Sequence, residues 1–112
     1  MSYRALAPIL AGLLLSACAG IPREIRNAPP GDLQVEAVRQ QPDAHLGERV
    51  RWGGQIVSVE NRERETWVVM VARPLGFSGR PEDTDRSPGR FMARFDGFLD
   101  PATYKAGREL TV

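Results

Sequence analysis

Residues 50–59 read Val50-Arg51-Trp52-Gly53-Gly54-Gln55-Ile56-Val57-Ser58-Val59, and the fold turns on how this stretch is interpreted. Val50 and Trp52 alternate with Arg49 and Arg51, the two-residue period of a strand with one buried face. Beyond Gly53-Gly54 the apolar set moves to odd positions, at Val57 and Val59. A one-residue change of phase turns every later side chain to the other face unless the strand bulges or bends, and a glycine pair suits such a bend. The expectation is a long first strand, bent at Gly53-Gly54.

Working toward the C-terminus, Asn61-Arg62-Glu63-Arg64-Glu65 is a polar connection. Trp67-Val68-Val69-Met70-Val71-Ala72 is apolar at every position and rich in β-branched residues, which predicts a central strand covered on both faces, ended by Pro74. Gly76 to Gly89 is a polar loop longer than most connections, hence functional or loosely ordered. Phe91, Ala93 and Phe95 alternate with Arg90, Met92, Arg94 and Asp96, giving a third strand. Asp100 to Gly107 has the signals of a short helix: an Asp cap serving the amide of Thr103 or a neighbour, Pro101 at the first position and a terminal glycine. Arg108 to Val112 opens a fourth strand.

Toward the N-terminus, Asp32 is placed to cap a helix through Gln40, with Leu33, Ala37 and Val38 on one face, followed by a short turn from Pro42 to Gly47. Residues 18–31 hold three prolines and two glycines with no apolar period, the composition of a tether. The expected class is mainly β: an OB-like small barrel or a strongly curved antiparallel sheet with short helices.

A chain of 112 residues has room for one domain. Lys and Arg number 15 against 14 Asp and Glu, so no bulk field gathers nucleic acid. One cysteine and one histidine exclude an intrachain disulfide framework, a thiolate zinc cluster and a multi-histidine metal site. The cysteine has an address instead. Arg4 and the apolar run from Leu6 to Leu15 form a secretory leader too short to span a bilayer, and the run ends in Leu15-Ser16-Ala17-Cys18. That order is a lipobox: small residues enter a peptidase groove, and only a cysteine can form the diacylglyceryl thioether beside the scissile bond. Ala17 also suits an ordinary signal-peptidase site, with Cys18 incidental. The lone cysteine falls where lipidation needs it, which gives residues 1–17 as signal peptide, 18–31 as lipidated tether and 32–112 as the β domain.

Several of these stretches together resemble the Slp family of Gram-negative outer-membrane lipoproteins. They are Leu15-Ser16-Ala17-Cys18; His45-Leu46-Gly47 followed by Val50-Arg51-Trp52-Gly53-Gly54-Gln55-Ile56; Asn61 before a strand ending Arg73-Pro74-Leu75; and Gly89-Arg90-Phe91 through Gly97-Phe98-Leu99-Asp100-Pro101-Ala102-Thr103-Tyr104. The resemblance implies an outer-membrane lipoprotein held by lipid on Cys18, handled by the lipoprotein-processing and sorting machinery, with Ala19 favouring the outer membrane. It implies no reaction and no cofactor. Members of the family usually continue for several tens of residues through further strands, so the expectation is a C-terminally truncated, incomplete barrel.

Candidate sites are sparse. His45 lacks a positioned partner in sequence, Asp96 and Asp100 could be paired carboxylates although Asp100 suits a cap better, and Gly53-Gly54 could admit a ligand although a bend explains it. Arg51, Trp52, Trp67, Arg90 and Arg94 form a candidate basic-aromatic binding face. Export makes nucleic acid an unsuitable ligand for it. No hydrolase, zinc-protease, P-loop or dinucleotide fingerprint occurs, so no catalytic or metal-binding residue is assigned. The expected role is a non-catalytic structural or interacting envelope lipoprotein whose envelope partner is unknown. The alternative is a periplasmic binding module whose barrel face takes a glycan, peptide or lipid.

Overall fold

A computed structural model describes residues 20–112; the leader, Ala17 and Cys18 lie outside the described residues. Four strands form one antiparallel sheet: β1 (Gly53–Asn61), β2 (Glu65–Ala72), β3 (Arg90–Asp96) and β4 (Glu109–Thr111), in the order β3-β2-β1-β4. The sheet is strongly curved, a half-barrel, and its helices are short: α1 (Arg23–Arg26) and α2 (Val35–Gln40). The fold class is thus mainly β with a curved sheet, and β2 lies inside the order as expected.

The bend is not where the glycine pair suggested. Ile56 pairs with Met70 and Ser58 with Val69, so the extra residue is Val57. This bulge puts Gly54, Ile56, Val59 and Asn61 on one face, opposite Ala72, Met70, Val68 and Thr66. It absorbs the change of phase seen in the sequence. The glycines serve a different need, close approach: a Cβ on Gly54 would strike the Val71 carbonyl, and one on Gly53 would lie 2.7 Å from the Leu110 carbonyl oxygen. Trp52 and Val112 exchange both backbone hydrogen bonds, at 3.1 and 2.8 Å, and so prolong the β1–β4 ladder past the glycine pair.

The core sits on the concave face. Ile56, Val68 and Met70 are its buried centre, with Val59, Phe91, Phe95, Leu99, Tyr104 and Leu110 packed around them. β2 is not fully covered on both faces: Thr66, Val68, Met70 and Ala72 are buried while Trp67, Val69 and Val71 are only partly buried. The continuous apolar run reflects a partly buried opposite face and not a second covering layer.

Three local expectations are corrected. Asp32 lies at φ +40 outside α2, which starts at Val35 with Gln34 in the capping position and no side-chain cap; Gln34 Nε2 instead donates to the Asp32 carbonyl at 2.9 Å. The segment after Asp100 is a single turn and not a helix: Asp100 Oδ1 accepts from the Ala102 amide at 2.9 Å, and the Asp100 carbonyl accepts from Thr103 and Tyr104. The proline-rich segment expected as a tether contains α1, which begins directly after Pro22 and is docked on the domain. The loop from Gly76 to Gly89 also folds onto the sheet through a Leu75–Pro81 bridge and a bond from the Ala72 amide to the Gly89 carbonyl at 2.9 Å.

Gly54→Ala forces β1 and β2 apart and is expected to lower stability by about 1–3 kcal/mol. Urea unfolding checks this: the midpoint should fall with the slope unchanged.

Candidate functional site

The five residues of the expected basic-aromatic face do not share one face. Trp52 projects to the core side, meets Phe91 edge-on at 5.3 Å between ring centroids, and donates from Nε1 to the Leu33 carbonyl at 2.7 Å. Arg51 reaches the N-terminal segment, where Nη1 donates to the Ile25 carbonyl at 3.0 Å and the Arg26 carbonyl at 2.9 Å. Both side chains therefore tie the segment preceding the sheet to β1. Only Trp67, Arg90 and Arg94 remain together, on the convex face, where Trp67 is paired with Arg94 and Val71 with Arg90 across the β2–β3 ladder.

That face carries an apolar column. Trp67, Val69 and Val71 of β2 are partly buried, and Met92 of β3, paired with Val69, is 52% exposed. The Arg62 guanidinium stacks 4.1 Å above the Trp67 ring, and the buried Trp67 Nε1 has no hydrogen-bond partner among the described residues. Arg94 lies 3.5 Å from the Glu65 carboxylate and is largely exposed, so this pair adds little to stability. Arg90, paired with Val71, and Arg94, paired with Trp67, flank the column on β3.

Other candidates are committed to structure. His45 Nδ1 lies 3.1 Å from Glu48 Oε2 on the surface, one step along a turn. Asp100 is occupied by the Ala102 amide, and Asp96 ends β3 opposite Glu65. The Gly53-Gly54 backbone is filled by its neighbouring strands and admits no ligand. A cleft of about 290 Å³ opens near Arg51 and Trp52, between Val35 and Pro74, with Asp32 as its one carboxylate. No nucleophile stands beside a base there. Among the described residues, no group of three His, Cys, Asp or Glu side chains could hold a metal, and no helix is long and apolar enough to cross a membrane.

Sequence reasoning missed Asn61. Its Nδ2 donates to the Leu99 carbonyl at 3.0 Å while its Oδ1 accepts from the Leu99 amide at 3.1 Å, so one side chain imitates a strand partner for an irregular loop. The buried Thr66 hydroxyl lies within reach of Asn61 Oδ1 and, at 2.7 Å, of the Gly97 carbonyl, and its single proton serves one at a time. Beyond its place in the family resemblance, the signal was an asparagine closing a strand before a charged turn, which reads as turn chemistry.

These features define a class: a small curved-sheet β domain whose inward polar groups hold loops in place, and whose available chemistry lies on its outer surfaces. Residues 15–112 match the model of the outer membrane lipoprotein Slp family. The chain belongs to that family. It is 35% identical over 94 residues to the outer membrane protein Slp of Escherichia coli K12, covering 82% of this chain and 50% of the relative. It is likewise 35% identical over 108 residues to the uncharacterized lipoprotein YeaY of the same organism, covering 93% of this chain and 55% of the relative. The chain thus spans about half the length of the curated relatives it matches. No solved structure matches it.

Asn61→Ala removes both partners of Leu99 and is expected to cost about 1–3 kcal/mol. Faster hydrogen exchange at the Leu99 amide, together with a lower urea midpoint, checks the assignment.

Proposed function

We propose that the protein is a lipoprotein anchored in the outer membrane of a Gram-negative bacterium through acyl chains on Cys18, with a non-catalytic structural or interacting role in the envelope. The observation that carries this reading is the family match, which begins at Leu15 and so takes in Leu15-Ser16-Ala17-Cys18. The sulfur of Cys18 is the one atom in the chain able to form the thioether. One chain binds a bilayer only weakly, but at ~0.8 kcal/mol per buried methylene two or three hold firmly. Support for a non-catalytic role comes from the polar groups themselves: Arg51 Nη1, Trp52 Nε1, Asn61 Nδ2 and the Thr66 hydroxyl are all engaged in backbone and loop contacts.

A second reading, a binding module, is favoured by the convex column of Trp67, Val69, Val71 and Met92 between arginines. Its ligand would present a flat apolar surface with acidic or hydroxyl-rich edges, as a glycan, peptide or lipid can.

Cys18→Ser should abolish incorporation of labelled fatty acid and leave the precursor uncleaved at this site; cleavage to an unlabelled soluble product defeats the anchoring. For the second reading, detergent-solubilised envelopes passed over immobilised wild type and Met92→Glu should yield a partner lost from the variant. Equal retention by both removes the convex face from consideration.

A further inference from the structure

We propose that the surface formed by α1 and the turn Phe77–Gly79 seats on the phospholipid surface of the membrane that holds the N-terminus, with Phe77 inserted among headgroups and Arg23 and Arg26 on lipid phosphates. This rests on the anchoring through Cys18 proposed above.

The starting observation is Phe77, which is 98% exposed. A single exposed aromatic needs no explanation, but this one is held out by a pinned turn. The Gly76 amide donates to the Arg80 carbonyl at 2.7 Å and the Gly79 amide to the Gly76 carbonyl at 3.1 Å. Ser78 lies at φ +68, in the left-handed region that a side chain disfavours. Thr111 Oγ1 donates to the Gly79 carbonyl at 2.7 Å, which fastens the turn to β4. Gly79 is buried at φ +81, and a Cβ there would collide with the Ile25 carbonyl, so α1 and the turn are fitted against each other backbone to backbone.

The second observation is charge. Arg51 clamps the Ile25 and Arg26 carbonyls and so fixes α1 beside the turn. Arg23, Arg26, Arg51 and Phe77 consequently line one shallow concavity. Arg23 and Arg26 are exposed and form no ion pair among the described residues; α1 contributes one carboxylate, Glu24, against them. An aromatic ring flanked by guanidinium groups is complementary to a surface of phosphates over hydrocarbon.

The third observation is reach. Arg23 is five residues along the chain from Cys18, and an extended chain spans at most about 3.6 Å per residue, so the start of α1 stays within roughly 18 Å of an acylated cysteine. Ile21, 48% exposed, lies on that path. Phe98 is also largely exposed but follows Gly97, whose amide bonds to Arg64 in the β1–β2 turn, at the opposite end of the strands from Gly53.

The test uses the full chain, expressed in a Gram-negative host and reconstituted in vesicles of phosphatidylethanolamine with a minority of phosphatidylglycerol. Lipid labelling of Cys18 is read first. With that sulfur in a thioether, Phe77→Cys supplies the single free thiol for an environment-sensitive fluorophore, and Glu63→Cys, in the β1–β2 turn, supplies the control. The expected result is blue-shifted emission and quenching by lipid-borne quenchers at position 77, with a solvent-like signal at 63. Replacing Arg23 and Arg26 by Gln should lower the docked-to-undocked ratio by about fivefold per arginine. A lipid-labelled chain with solvent-like signals at both positions overturns the docking and leaves the anchor standing, and so does an embedded probe indifferent to the two arginines. A chain without lipid on Cys18 overturns the anchor, and the docking with it.

Discussion

The extra residue at Val57 lets β1 serve one core along its whole length. β1 is the strand on which the sheet depends, because it pairs with β2 on one side and β4 on the other. Its first half brings Gly54 and Ile56 to the concave face and its second half brings Val59 and Asn61 there, which a regular two-residue period cannot do. Without the bulge, either Ile56 or Val59 would face solvent, and the apolar cluster around Val68 and Met70 would lose one wall. The bulge also adds twist, consistent with the half-barrel curvature of the sheet.

Curvature brings backbones close at one end of the sheet and leaves irregular chain at the other. At the close end the glycine pair removes the side chains that would hold β1 from β2 and β4. At the open end Asn61 and Thr66 use side-chain hydrogen bonds to hold the Gly97–Leu99 loop, where no ladder reaches. Arg51 and Trp52 perform the same service for the segment before the sheet. A buried polar group is costly unless paired, and here the pairing stitches loops to the sheet. The same stitching leaves the domain's free chemistry outside, on the convex column and on the pinned Phe77 turn.

The strand pattern, the mainly β class, the inward set Phe91, Ala93 and Phe95, and the family were all legible in the residues, because period-two alternation and turn residues are local signals. Capping signals were less reliable. Asp32 and Asp100 both have the right identity before a helical pattern, but Asp32 is drawn into a left-handed turn and Asp100 caps a single turn that never propagates. Helices this short owe their existence to docking, and propensity cannot decide them.

By itself the sequence determined that strands form, roughly where they run and which side chains alternate, since these follow from the fixed geometry of an extended chain. Only the tertiary structure decided where the phase change is absorbed. The choice between Gly53-Gly54 and Val57 depends on which residues of β2 stand opposite, as pairing register is a property of two strands together. Tertiary structure also divided the five candidate binding residues, sending Arg51 and Trp52 to hold the N-terminal segment and leaving Trp67, Arg90 and Arg94 on the convex face. The physical reason is that a long side chain bonds whatever backbone folding brings within reach, and the carbonyls of Ile25, Arg26 and Leu33 lie about twenty residues or more away along the chain.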